Sequence, residues 1–177
     1  VVMRESMRTA RLTLRCLSPA DLRVVHAIFS SEGHTVGDGP IADVAATESW
    51  LVRRQARYRH QGLAWYGLWD TDGQFVGICG VFTGERCGAD PEIGYEIDIA
   101  GRGQGFAREA ARAVTEEAHG AGYRQIWATI RPSNQASVRI VSSIGYELVR
   151  TQPDAKGALN YYVSTTPRHT IPSEAHR

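Results

Sequence analysis

Three glycines at alternate positions, Gly101-Arg102-Gly103-Gln104-Gly105, stand between a segment with strand periodicity and one with helix periodicity. Upstream, Glu92 to Ile99 (EIGYEIDI) alternates strictly, with Ile93, Tyr95, Ile97 and Ile99 on one face and Glu92, Gly94, Glu96 and Asp98 on the other. Downstream, Phe106, Ala110, Val114 and Ala118 recur at helical spacing and predict a helix over Phe106 to His119 that ends at Gly120. A glycine-rich turn at such a junction lets the backbone approach closely and aims unpaired N–H groups, with the positive end of the helix dipole, at one point. That point suits an anion such as a pyrophosphate. The segment lacks the G-x-x-x-x-G-K-[ST] pattern of a nucleoside-triphosphate loop, and its spacing is not G-x-G-x-x-G. A turn that merely joins strand to helix has the same local signature, so the rest of the chain must decide.

Around this junction, strand and helix signals alternate without repeats. Arg11 to Leu17 reads as a half-buried strand, and Ser18-Pro19-Ala20-Asp21 reads as an N-cap, a proline at the first helical position and the acid of a capping box, opening a helix to Phe29. Ser30 to Pro40 is a long loop, read either as the border of a site or as a connector without a role of its own. From Asp43 to His60, Val44, Trp50, Leu51 and Tyr58 support a second helix, with Arg53, Arg54, Arg57 and Arg59 as its solvated face. Leu63 to Trp69 and Gln74 to Phe82 flank Asp72-Gly73, a strong hairpin signal. Tyr123 to Ile130 is a further strand, Ser133 or Asn134 caps a short helix reaching Ile144, and Tyr146 to Thr151 and Leu159 to Thr165 are the last strands. The order β-α-α-β-β-β-α-β-α-β-β predicts a mixed α/β domain with an antiparallel meander and a βαβ crossover. At roughly 150 residues per domain, the 177 residues form one domain over 9–166, with an N-terminal extension over 1–8 and a loose tail over 167–177.

Composition narrows the function classes. With 42% hydrophobic and 22% charged residues the chain is neither disordered nor membrane-embedded. The N-terminus has no secretory pattern, so the expected location is the cytoplasm. Twenty Lys and Arg against 19 Asp and Glu leave a net charge of +1, which argues against nucleic acid as a partner. Only Lys156 is a lysine. The arginine bias fits bidentate phosphate contacts, although the codon usage of a GC-rich genome accounts for it more simply. Cys16, Cys79 and Cys87 show no C-x-x-C spacing and read as reduced thiols, and the six histidines form no metal-binding pattern.

The segment Arg102-Gly103-Gln104-Gly105-Phe106-Ala107 resembles the Arg/Gln-x-x-Gly-x-Gly/Ala signature of the GNAT superfamily of acyl-CoA-dependent N-acetyltransferases. Asn134-Gln135-Ala136-Ser137, closed by Gly145-Tyr146, is similar to that family's second CoA-side motif. The likeness covers about residues 9–165. It implies a central, mostly antiparallel twisted sheet of six to seven strands flanked by about four helices, acetyl-CoA as co-substrate, and no metal. Glu92 to Tyr95 together with Asn134 to Ser137 resembles the ribosomal-protein N-terminal acetyltransferase type. By this resemblance the N–H groups from Gly103 to Arg108, with Arg102 before them, hold the pyrophosphate. Tyr95, Glu96 and Ile97 pair with the pantetheine arm, and Asn134 bonds the pantetheine or only caps its helix. Dimers are common in the family.

Chemistry sets further requirements. A protonated amine needs a base, the oxyanion needs a donor, and the leaving thiolate benefits from a proton. Glu92 and Glu96 are the candidate carboxylates, Glu92 preferred because it lies farther from the CoA-contacting end; either could instead belong to a solvated strand face. Family members commonly carry a tyrosine acid seven residues after the asparagine, where this chain has Val141. Ser137 is the candidate replacement, unless its hydroxyl only satisfies local backbone groups. The expected reaction is direct acetyl transfer to an amine in a ternary complex, with a protein N-terminus as first acceptor. The alternatives are a small amine or antibiotic as acceptor, and a non-catalytic acyl-CoA sensor. The loop Ser30 to Pro40 and the hairpin Gln152 to Ala158 are expected to shape the acceptor side.

Overall fold

The computed structural model describes residues 2–34 and 39–166. In chain order the elements are β1 (Ser6–Arg8), β2 (Thr13–Cys16), a 3-10 turn (Pro19–Asp21), α1 (Leu22–Phe29), α2 (Val44–Gln61), β3 (Trp65–Trp69), β4 (Phe75–Phe82) and β5 (Glu92–Ile97). A second 3-10 turn (Ile99–Gly101), α3 (Phe106–Gly120), β6 (Gln125–Ile130), α4 (Gln135–Ser143), β7 (Glu147–Asp154) and β8 (Gly157–Thr165) follow. The strands form one sheet in the order β1-β2-β3-β4-β5-β6-β8-β7. Every neighbouring pair is antiparallel except β5 and β6, which the α3 crossover makes parallel.

The sheet has eight strands rather than six to seven. The additional one is β1, which pairs Ser6, Met7 and Arg8 with Arg15, Leu14 and Thr13. Three residues with a single buried side chain, Met7, carry no readable period, and Met3 before them is also part of the core. The β5 strand stops at Ile97, two residues before the alternation does. Asp98 leaves the strand and its carboxylate accepts from the Ala100 N–H at 3.3 Å, capping the 3-10 turn, so Ile99 is exposed rather than inward-facing. The segment Gln152 to Ala158 is mostly ladder, with the chain reversing between Asp154 and Gly157.

Two apolar layers sandwich the sheet. On one face the α3 stripe of Phe106, Ala110, Val114 and Ala118 packs against Ile93, Ile97, Ile126 and Ala128 as its spacing predicts. On the other, α1 and α2 cover Leu17 and Ile78 with Val25, Ile28, Phe29 and Leu51. The helix α2 turns Leu51 and Thr47 inward, and Val44, expected on the apolar stripe, is exposed. His26 Nδ1 lies 2.8 Å from Thr47 Oγ1 and ties α2 to α1. Among the described residues no helix is long and apolar enough to cross a membrane.

Candidate active site

The glycine turn is shaped from both ends. Gly103 and Gly105 adopt left-handed φ of +77° and +82°, conformations that strain any residue with a Cβ. Gly105 is the N-cap of α3, and the first helical bond runs from the Glu109 N–H to its carbonyl at 3.1 Å. The N–H groups of Phe106, Ala107 and Arg108 therefore precede the helical ladder and point out of the helix end. Arg11 braces this arrangement from β2's approach. Its Nη1 donates to the Gln104 carbonyl at 2.8 Å, its Nε to Glu109 Oε2 at 2.7 Å, and its guanidinium lies over the Phe106 ring. Burial alone would raise the Glu109 carboxyl, but bonds from the Thr9 hydroxyl and from the Arg11 backbone and guanidinium outweigh it and hold it below its ordinary range.

The Arg102 side chain is also bonded within the protein. Its Nε donates to the Ile97 carbonyl at 3.1 Å and its Nη2 to the Gly33 carbonyl at 2.9 Å, so the guanidinium straps the turn to β5 and to the loop after α1. Gln104 likewise turns its side-chain amide back to the Ala100 carbonyl at 3.2 Å.

Beside the turn the sheet opens. The β5–β6 ladder consists of the single pair Glu92 and Trp127, extended by a bond from the Trp127 N–H to the Pro91 carbonyl. Because Asp98 N–H bonds Val76 O across to β4, the even-numbered residues of β5 turn their backbone groups to β4, and Ile93, Tyr95 and Ile97 turn theirs toward β6. Past Glu92, Tyr95 and the Ile97 N–H thus present an edge with no strand beside it. The Tyr95 hydroxyl reaches across and donates to the Ser137 carbonyl at 3.4 Å, while Asn134 Oδ1 caps α4 by accepting from the Ser137 N–H at 3.2 Å. Tyr95, Asn134 and Ser137 are thereby brought together on the α3–α4 side of the opening. Val141 is fully buried in the core, so its position offers no acid.

The even-numbered side chains of β5 face the other layer, and neither carboxylate belongs to a solvated face. Glu92 is 5% exposed, accepts from the Thr129 hydroxyl and receives the Cys87 thiol at 3.9 Å. Burial raises its pKa more than Thr129, Arg86 and Cys87 lower it. Glu96 is bonded to His34 Nδ1 at 2.7 Å, and both side chains are less than 10% exposed. Burial again is the largest influence and raises the Glu96 pKa, against His34 and Arg102. The Cys87 thiol is pushed up to about 12 by burial and by Glu92, so it stays protonated and donates rather than attacks.

Sequence reasoning missed His34, Thr129, Cys87 and Arg54 here. His34 sits in an aperiodic Gly- and Ser-rich loop, and Thr129 could be placed only once the register of β6 against β5 was known. Residues 35–38 of the expected acceptor loop lie outside the described residues. Arg54, read as solvated, instead lies over Trp50, Trp65 and Phe82 at 5.2, 5.6 and 5.6 Å from the ring centres.

A sequence profile described as an acetyltransferase (GNAT) domain matches residues 11–147. The chain is 29% identical over 149 residues to the uncharacterized protein YkkB of Bacillus subtilis (strain 168), a match covering 81% of this chain and 86% of that protein. An acetyltransferase from Agrobacterium tumefaciens str. C58 superposes with a TM-score of 0.80 at 24% identity, covering 94% of this chain and 97% of the other. The ribosomal L7/L12 α-N-protein acetyltransferase RimL, solved with coenzyme A, gives a TM-score of 0.80 at 17% identity and covers 91% and 98%. At these identities the structural likeness is one of fold.

Proposed function

The chain belongs to the GNAT acetyltransferase family and is an N-acetyltransferase; from that premise we propose that it moves the acetyl group of acetyl-CoA to a primary amine by direct attack in a ternary complex, with Glu92 as the base. One observation carries the reading. The only ladder pair between β5 and β6 is made by Glu92 itself, so the sheet opens at the residue that also buries a carboxylate on the acceptor face.

The residues fit the co-substrate. The N–H groups from Gly103 to Arg108 around two left-handed glycines suit a pyrophosphate, and the edge at Tyr95 and Ile97 can pair with the amides of an extended pantetheine as with an added strand. Acetyl-CoA supplies an activated acyl carbon. Glu92, held above the ordinary carboxylate range, is suited to accept a proton from an ammonium group, directly or through water. Ser137, on the first turn of α4 beside Tyr95, is proposed to return a proton to the thiolate. Asn134 caps that turn and keeps it in place.

The first acceptor to test is a peptide N-terminus. Its support is the resemblance of Glu92-Ile93-Gly94-Tyr95 and Asn134 to Ser137 to the ribosomal-protein type, and the fold shared with RimL, named as an α-N-protein acetyltransferase. Thiol release from acetyl-CoA across N-terminal peptides, polyamines and aminoglycosides tests the acceptor, with Glu92→Gln as the paired variant. Unchanged release by Glu92→Gln with a good amine would remove Glu92 as the base.

A further inference from the structure

Arg54 is a half-buried cation that has no counter-ion among the described residues. Its Nε and Nη1 are sealed from water and have no hydrogen-bond partner among the described residues. Three aromatic rings hold it, Trp50 from its own helix, Trp65 from β3 and Phe82 from β4. Rings cover the faces of a guanidinium, and Nη2, which is not among its sealed atoms, is the edge left for an incoming acceptor. Taking such a group out of water is costly unless an anion compensates. The burial, with Arg57 and Arg53 nearby, pulls its pKa down to about 10, which still leaves it charged at neutral pH.

Its place in the fold says what that anion belongs to. Phe82 is the ladder partner of Glu92, and side chains directly opposite on one face lie about 5 Å apart at Cβ. Gly94, between Glu92 and Glu96, leaves room on this face for the two rings: a Cβ there would meet the Trp65 ring at 2.8 Å and the Phe82 ring at 3.5 Å. Arg54 thus stands one side chain away from Glu92 yet makes no ion pair with it. The acceptor face therefore carries both signs, carboxylates for an ammonium and a guanidinium for an anion.

We infer that the acceptor is an amine carrying a carboxylate a few bonds from its nitrogen, and that Arg54, held by Trp50, Trp65 and Phe82, is the binding residue for that carboxylate. This rests on the acetyl-transfer reading and narrows its substrate class. The Arg54 guanidinium matches a carboxylate, whereas a polyamine brings no acceptor for the Arg54 donors. The carboxylate can be that of a free amino acid or of an acidic side chain near a peptide N-terminus.

Matched pairs separate these sources: a free amino acid against its amide, and an N-terminal peptide with Glu at its second position against the same peptide with Gln. The expected result is a kcat/KM at least about tenfold higher for the charged member of one pair, in line with a charge-assisted hydrogen bond. In Arg54→Met that ratio falls to within about twofold. Should the methionine variant unfold, Arg54→Lys is read on the same ratio, where a drop of about threefold or more supports the assignment and no drop overturns it. Equal rates for charged and neutral members, or a loss in Arg54→Met shared equally by both, overturns it. If no amine is turned over, the transfer reading fails separately. Tryptophan fluorescence titrated with the carboxylate amines then decides: a saturable change lost in Arg54→Met retains the anion site, and no change removes it.

Discussion

At the scale of single residues, Glu92 joins two effects that normally oppose each other. Burial that suits it to accept a proton also makes its charged form costly to the fold. Glu92→Gln keeps an acceptor for the Thr129 hydroxyl and removes the charge. We expect it to reduce kcat by about 100-fold or more, within the range of general-base contributions, and to melt no lower than the parent at pH 8. Thiol-release kinetics and a thermal melt on one preparation check both. At the turn, Gly105→Glu combines a left-handed φ with an acidic side chain at the proposed phosphate position, where even a Cβ lies 3.3 Å from Arg11 Nη2. Its expected outcome is loss of calorimetric CoA binding, with a backbone penalty of about 1–2 kcal/mol leaving the fold intact. Retained affinity would exclude the turn as the pyrophosphate site.

At the scale of elements, the start of α3 depends on residues 98 and 100 positions away: Arg11 and Thr9 approach from the N-terminal side and converge on Glu109. Glu109→Ala should cost about 0.5–1.5 kcal/mol, the net value of a hydrogen bond whose freed partners water can reach, read as a lower urea midpoint. It should also weaken CoA binding, because Arg11 holds the Gln104 carbonyl in the same turn. On the far side of α3, Thr115 Oγ1 and the Tyr146 hydroxyl are buried 2.9 Å apart and join the helix to the chain entering β7. Tyr146→Phe should destabilise by about 1 kcal/mol with CoA affinity unchanged, which separates a stability effect from a binding effect.

At the scale of the whole molecule, the shifted carboxyls divide into two sets. Asp21, Glu109 and Asp154 lie below their ordinary range, Asp21 because Arg15 and Ser18 overcome its burial and Asp154 because Arg131 and the Lys156 N–H bond it, so their stabilisation is present above the unfolded pKa and is lost as pH falls through the lower folded one. Glu92 and Glu96 lie above it, so their contribution is present below the unfolded carboxylate pKa and is lost as pH rises through the raised folded value. Activity requires Glu92 without its proton. It should therefore rise with pH across the window in which these two groups withdraw stability, and denaturant midpoints measured beside a pH–rate profile should move in opposite directions there. Bound acetyl-CoA should offset the loss, since a ligand at 100 times its Kd adds about 2.7 kcal/mol.

Local order was legible in the sequence because it is written in short periods. The α3 stripe, the Asp72-Gly73 hairpin, the alternation that puts Glu92 and Glu96 on one face, and the glycine turn each depend on residues within a few positions of one another. The same periods failed where the signal was short, as at β1, or where a cap overrode the alternation, as at Asp98. Tertiary structure alone decided what surrounds those residues. Whether Glu92 is solvated depends on the register of β6, which brings Thr129 to it from 37 positions away; whether Arg54 is solvated depends on where α2 crosses Trp65 and Phe82; and Glu96 meets His34 only because the chain after α1 returns to β5. Burial and charge partnership are properties of long-range packing, so one chain's sequence names the candidate carboxylates and the fold determines their chemistry.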